Sequence, residues 1–194
     1  MKIIEVPQFG PMFRFSDANI YWALHLLSDG QRIGRKKLAD CIGVGEGSMR
    51  RIIETLKEWN FIQVKQTGIT ITPTGTQFLA QIPVKPIEVP HIPGSVVGEH
   101  CQGVLVFGVS GKISNGMEQR DAGIKAGGAG CTTIVLRDGA LMIPPDWNLD
   151  KEAPEVAKAI RATGMTESDI LIVGGGADEM AAIEAALMAA FDLI

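Results

Sequence analysis

The chain has 194 residues, 46% of them hydrophobic and 21% charged, with a net charge of −4, enough for one large domain or two small ones with real cores. It contains no run of about 18 apolar residues, so no membrane-spanning helix is expected; the first fifteen residues lack an apolar stretch and a small-residue cleavage site, so no signal peptide is expected and the cytoplasm is the expected compartment. The charge is uneven: residues 1–82 carry 10 Lys and Arg against 7 Asp and Glu, a net +3, while residues 83–194 carry 8 against 15, a net −7, which suits only the first part to a polyanion or else reflects ordinary solvated faces.

In chain order, "SDANIYWALHLLSDG" predicts a helix capped by Ser16 and closed by Gly30, with Ile20, Ala23, Leu24 and Leu27 inward. "RKKLADCIG" predicts a short second helix with Leu38, Ala39 and Ile42 inward. "EGSMRRIIETLKEWN" predicts a third, with Met49, Ile52, Ile53, Leu56 and Trp59 at three-four spacing and Asn60 closing it in the left-handed conformation. "FIQVKQTGITIT" reads as a hairpin around Thr67-Gly68, and Thr72 with Pro73 opens a fourth helix. A stretch with Pro83, Pro86, Pro90 and Pro93 follows and reads as an extended connector.

Beyond it, "GVLVFGV" reads as a buried strand and "NGMEQRDAGIKAGG" as a helix capped by Asn115 and ended by Gly127. "CTTIVLRDGALMIP" reads as a hairpin turning at Asp138-Gly139, "PEVAKAIRATG" as a helix, "DILIVGG" as a strand and "DEMAAIEAALMAAFDLI" as a last, Ala-rich helix. The last helix is apolar almost all round, so it is either fully buried or a subunit interface. The expected fold class is α+β: an N-terminal winged helix-turn-helix over 1–82, a Pro-rich linker over 83–98, and over 99–194 a small two-layer α/β sandwich, β-α-β-β-α-β-α around a mixed sheet, for effector binding or dimerisation.

Two glycine clusters invite a nucleotide-binding reading. "CIGVGEGSMRRII" follows a helix and not a strand, and it lacks a GK[ST] sequence, so its context fails. "LIVGGGADEMAAI" has the strand-glycine-helix order, but Asp178 and Glu179 occupy the place of the anion. It is a capped structural turn or a site for a cation, an amine or a neutral polar group.

The glycines of the first cluster fit the turn between two packed helices, with Gly43 and Gly45 permitting the sharp bend. The third helix then turns Gly47, Ser48, Arg50, Arg51, Glu54, Thr55 and Lys57 outward. Arg50 or Arg51 suits a bidentate contact to guanine, and Ser48 a phosphate or base. Lys65, Gln66 and Thr67 would form a wing, and Arg35, Lys36 and Lys37 would meet the duplex backbone. The same arginines also fit a solvated amphipathic face, which Glu46, Glu54 and Glu58 make less positive.

The segments "IGRKKLADCIGVGEGSMRRIIETLKEWNFI", "GITITPTG" and "MEQRDAGIKAGGAGCTTIVLRDGALMIP" resemble archaeal winged-helix transcriptional regulators whose second half is a domain of unknown function. The resemblance rests on Gly34-Arg35, Leu38-Ala39, Gly43, the Gly45–Ser48 run, Arg50, Leu56, Thr72 and Gly75; that family more often has Gly where this chain has Asn60. It implies a DNA-binding regulator and a winged-helix fold, although such domains also dock onto proteins. At fold level the arrangement also resembles the bacterial arginine repressor, without a recognisable effector motif.

In the second half, "SGKISNG" precedes a helix bearing Arg120 and Asp121. They read either as an effector pocket, Arg120 for a carboxylate and Asp121 for an amine, with Asp178 as a further candidate, or as an ion pair fixing the helix. Cys41, Cys101 and Cys131 form no CxxC, and His25, His91 and His100 have no metal-ligand spacing, so no metal and no cofactor are expected. Cys41 and Cys131 read as packing residues, and only His100-Cys101 hints at chemistry. No nucleophile-base pair or paired carboxylates stand out, so an enzyme is not expected. The expected function is transcriptional regulation through double-stranded DNA, by a homodimer reading two half-sites. A protein-interaction module and a small-molecule binding protein are the alternatives.

Overall fold

The computed structural model describes residues 1–3, 14–90 and 98–194; residues 4–13 and 91–97, with His91 and Pro93 among them, lie outside the described residues. The chain divides into two compact units, Lys2–Ile82 and Pro83–Ile194 with Met1.

In the first unit, α1 (Asp17–Leu27), α2 (Arg35–Cys41) and α3 (Glu46–Glu58) are followed by β1 (Ile62–Lys65), β2 (Gly68–Ile71) and α4 (Pro73–Gln81). The three-four spacing makes the core: Ile20, Leu24, Leu27, Leu38, Ile42, Met49, Ile52 and Leu56 are all fully buried. Each contributes roughly 1.5–3 kcal/mol by leaving water. Buried Asn19 is satisfied, its Nδ2 donating to the Ile42 carbonyl at 3.1 Å and so tying α1 to the end of α2. Between α2 and α3 only Gly43 needs the left-handed region, at φ 65°; Gly45 is extended and serves as the N-cap of α3. Asn60 ends α3 at φ 57°, as expected. Thr72 caps α4, accepting from the Gly75 amide at 3.1 Å. The β1–β2 hairpin gains a third strand position through the antiparallel bridge Ile33↔Ile69.

The second unit is built on a six-stranded sheet of order β3-β4-β8-β5-β6-β7. Its strands are β3 (Val84–Ile87), β4 (His100–Val106), β5 (Gly130–Arg137), β6 (Ala140–Ile143), β7 (Trp147–Asn148) and β8 (Ile170–Gly176). The helices are α5 (Met117–Lys125), α6 (Leu149–Glu152), α7 (Pro154–Arg161) and α8 (Glu179–Phe191).

This sheet departs from the expected mixed one: every pairing in it is antiparallel. β4, α5 and β5 do form a crossover, but β8 inserts between the two parallel strands, a split βαβ unit. The residues read as connector also differ, since Val84–Ile87 pairs with Gly103–Val106 as the edge strand β3.

α5 and α8 cover one face, and the alternation of β8 shows which residues serve which side. Leu171 and Val173 pack with Leu149, Val156 and Ile160 of α6 and α7, which add a shorter cover on the other face. Gly174 and Gly176 face α8. A Cβ on Gly174 would lie 2.4 Å from the Ala182 carbonyl oxygen and 2.6 Å from the Ala186 nitrogen. The Gly-rich strand and the Ala-rich helix are therefore one feature, two small-residue surfaces in backbone contact. Of the two readings for α8, burial holds: Ala182, Ile183, Ala185, Ala186, Leu187 and Ala189–Phe191 are all buried.

The β5–β6 hairpin turns at Asp138 and Gly139 with φ 49° and 75°, the left-handed pair of a type I′ turn. One expectation for the cysteines fails, and the hint at His100-Cys101 finds no support. Cys41 is exposed, on the outer side of α2. His100 and Cys101 are consecutive on β4 and so point to opposite faces, where they cannot act together. Cys131 is packed as expected: its thiol donates to the Ala185 carbonyl at 3.3 Å, and burial pushes its pKa to about 12.

Candidate nucleic-acid interface

The inner stripe of α3, Met49, Ile52 and Leu56, has no exposure at all, so helical periodicity forces Arg50, Arg51, Glu54 and Lys57 outward. Arg50 and Arg51 are exposed, and Ser48 and Thr55 half-buried. Arg35, Lys36 and Lys37 are exposed on the first turn of α2, and Lys65, Gln66 and Thr67 are exposed at the hairpin tip. All ten expected DNA-facing residues thus lie on α2, α3 or the wing of one unit.

Their charges are not equally free. The Arg35 guanidinium donates to Glu46 Oε1 at 3.0 Å. Arg51 lies 3.6 Å from the Glu54 carboxylate. Among the described residues, Arg50 has no ion-pair or side-chain hydrogen-bond partner. The Ser48 hydroxyl donates, at 3.4 Å, to the Arg14 carbonyl. One cation escaped the sequence reading: Arg32 donates to the Thr67 hydroxyl at 3.0 Å and braces the wing. Its signal was weak, since Arg32 belongs to no predicted element and gains its position only through the bridge made by Ile33.

The effector candidates do not converge. Arg120 lines a cleft with Asn115 and Thr133, whereas Asp121 lines another with Glu118, Lys125 and Asp192. Among the described residues no ion pair joins Arg120 to Asp121. Asp178 caps α8, accepting from the Ala181 amide at 2.8 Å.

Residues 19–84 match the CggR N-terminal DNA binding domain. The protein is thus an α+β chain that carries the DNA-binding domain of a transcription regulator, joined to a sheet-and-helix domain. Residues 97–193 match the domain of unknown function DUF4443, and the chain belongs to that family. Among solved structures, it is similar to the hypothetical protein PH0730 from Pyrococcus horikoshii OT3, with 23% identity, 93% of each chain covered and a TM-score of 0.77; this likeness shows the fold. S. agalactiae BusR in complex with its busAB-promotor DNA matches at 11% identity over 92% of this chain and 98% of that one, with a TM-score of only 0.28. No curated protein matches in sequence. Among the described residues no helix is long and apolar enough to cross a membrane.

Proposed function

We propose that the protein is a cytoplasmic transcription regulator that reads double-stranded DNA sequence-specifically through α3. Arg50, Arg51 and Thr55 would face base edges in the major groove. Arg35, Lys36, Lys37 and Ser48 would hold phosphates, and Lys65, Gln66 and Thr67 would reach the backbone or minor groove beside the duplex. The observation that carries this reading is the burial of Met49, Ile52 and Leu56. It fixes α3 in rotation, so the outward Arg50 and Arg51 form a rigid surface flanked by basic residues of α2 and the wing. The second unit would sense a ligand or join two copies. The exposed apolar residues Met117 and Ile124, two turns apart on α5, are where a second copy would seat.

Fluorescence anisotropy of the full chain with a labelled duplex tests the reading. About five phosphate contacts would weaken binding roughly 500-fold between about 50 and 200 mM salt. An absence of duplex binding at the lower salt, with or without cell metabolites, overturns it. Recovery of stable protein partners in its place favours a protein-docking winged helix, a rival to which Glu46 and Glu54 lend acidic contacts.

A further inference from the structure

Among the described residues, one buried side-chain oxygen has no hydrogen-bond partner: Thr133 Oγ1, in a residue 3% exposed. An unpaired buried hydroxyl costs roughly 1–3 kcal/mol, so its surroundings show what it can meet. Thr133 lies on β5 beneath the N-terminus of α5. A Cβ on Gly116, the N-cap, would come within 3.3 Å of Thr133 Cβ and 3.4 Å of its Oγ1, and Gly116 stands at φ +77°. Gly116 packs directly over the hydroxyl, and a side chain there would crowd it. It also supplies no capping side chain to the first-turn amides of α5; Asn115 Oδ1 accepts from the Met117 amide alone, at 3.1 Å.

Arg120, one turn further on, runs beside the strand: a Cβ on Gly130 would lie 3.4 Å from its Cγ. Among the described residues its guanidinium has no hydrogen-bond or ion-pair partner. Thr133, Gly116 and Arg120 share one cavity of about 300 Å³, whose far wall is Ile143, Pro144 and Trp147. The cavity exists because β6 pairs with β5 only at Val135–Arg137, so among the described residues no strand lies beside Gly130–Ile134 on the side away from β8. Its volume suits a small metabolite.

We propose that this cavity binds a small organic anion through one carboxylate or phosphate group. The anionic group sits on the free amides of α5, takes two parallel hydrogen bonds from the Arg120 guanidinium and accepts from the Thr133 hydroxyl. The organic part lies against Trp147 and Ile143. Glu118, the acidic residue of the first turn, lines the separate cleft shared with Asp121 and Asp192 and leaves the anion position to cations and amides. The site names the ligand class for the sensing role proposed above and rests on that reading.

The test is thermal-shift and calorimetric titration of the full chain with inorganic phosphate, phenyl phosphate and phenylacetate, each against sodium chloride at matched ionic strength. A saturable rise in Tm with at least one probe is expected. Arg120→Gln should weaken that response at least tenfold and Thr133→Val several-fold. Thr133→Val removes an unpaired hydroxyl, so its own Tm should not fall. A response to the phosphates alone identifies a phosphate ligand, and one to phenylacetate alone a carboxylate. If no probe exceeds the chloride control, or Arg120→Gln responds as the parent does, the proposal fails. Duplex binding by the same preparations separates the two readings, because anion binding without DNA binding sinks only the regulator reading.

Discussion

Arg35 at the start of α2 and Glu46 at the start of α3 hold each other at 3.0 Å across the helix-turn-helix bend, with side chains 54% and 70% exposed. So exposed a pair contributes about 0–1 kcal/mol to stability. Its larger consequence is electrostatic, because Glu46 places a negative charge beside a cation that should meet a phosphate. Glu46→Gln should tighten duplex binding about three- to tenfold at low salt and steepen the salt dependence. Stability should fall by less than about 1 kcal/mol, the helix N-terminus losing one favourable carboxylate. Anisotropy titrations at several salt concentrations and urea unfolding would measure both, and unchanged affinity would place Arg35 away from the duplex.

The base-reading and backbone-reading residues should separate in mutants. Arg50→Ala or Arg51→Ala should cost about 1–3 kcal/mol on the preferred duplex and flatten discrimination among sequences. Arg50 should cost more than Arg51, whose charge Glu54 already shares at 3.6 Å. Lys65→Ala should weaken all sequences alike and lower the salt slope by about one. Selection from a randomised duplex library, repeated for each variant, reads out the difference. Equal losses on all sequences for Arg50→Ala would remove it from base recognition.

Gly174→Ala is the severe test of the β8–α8 contact. The added methyl would meet main-chain atoms, the Ala182 carbonyl at 2.4 Å and the Ala186 nitrogen at 2.6 Å, and main chain does not rotate out of the way. A cost at or above the usual ~1–3 kcal/mol of overpacking is expected, equivalent to a fall in Tm of roughly 10 °C. Thermal unfolding by circular dichroism measures it. A variant as stable as the parent would mean that α8 is free to shift.

These features differ in how openly the sequence carried them. α3 was legible residue by residue, since Met49, Ile52 and Leu56 repeat at helical spacing and Asn60 has a backbone preference of its own. The hairpin turn at Asp138-Gly139 was equally plain. Strand neighbours were not, because the insertion of β8 between β4 and β5 is decided by packing and leaves no mark on the local pattern. Pro86 concealed β3: proline argues against an interior strand, yet an edge strand accepts it where its missing N–H would face outward. The Gly174–Gly176 run reads as the end of a strand leading into a capped turn or a ligand site, because its purpose, room for α8, lies in another element. Thr133 and Arg120 stand on different elements, and only the fold places one beneath the helix that carries the other.

Asp169, which precedes β8 and attracted no notice in the sequence, should govern acid stability. It is 5% exposed. Its Oδ1 accepts from the Gly108 amide at 3.0 Å and the Ser168 hydroxyl at 3.3 Å. Its Oδ2 accepts from the Thr166 amide at 3.0 Å and the Thr166 hydroxyl at 2.7 Å. Burial is the strongest single influence and pushes the carboxyl upward, but the hydrogen bonds from Thr166, Gly108 and Ser168 together outweigh it and hold the pKa below the usual value. A carboxylate whose folded pKa is depressed contributes in full above its unfolded value of about 3.9, and that contribution is lost as pH falls through the folded pKa. Asp169→Asn turns an acceptor into a donor facing a main-chain N–H, so it should cost about 1–3 kcal/mol at pH 7. Urea unfolding of parent and variant at about pH 7, 5 and 3 should show the gap at full size in the first two conditions and narrowing in the third. A gap that stays constant down to the lowest pH would show that the carboxylate charge is not what Thr166 and Gly108 stabilise.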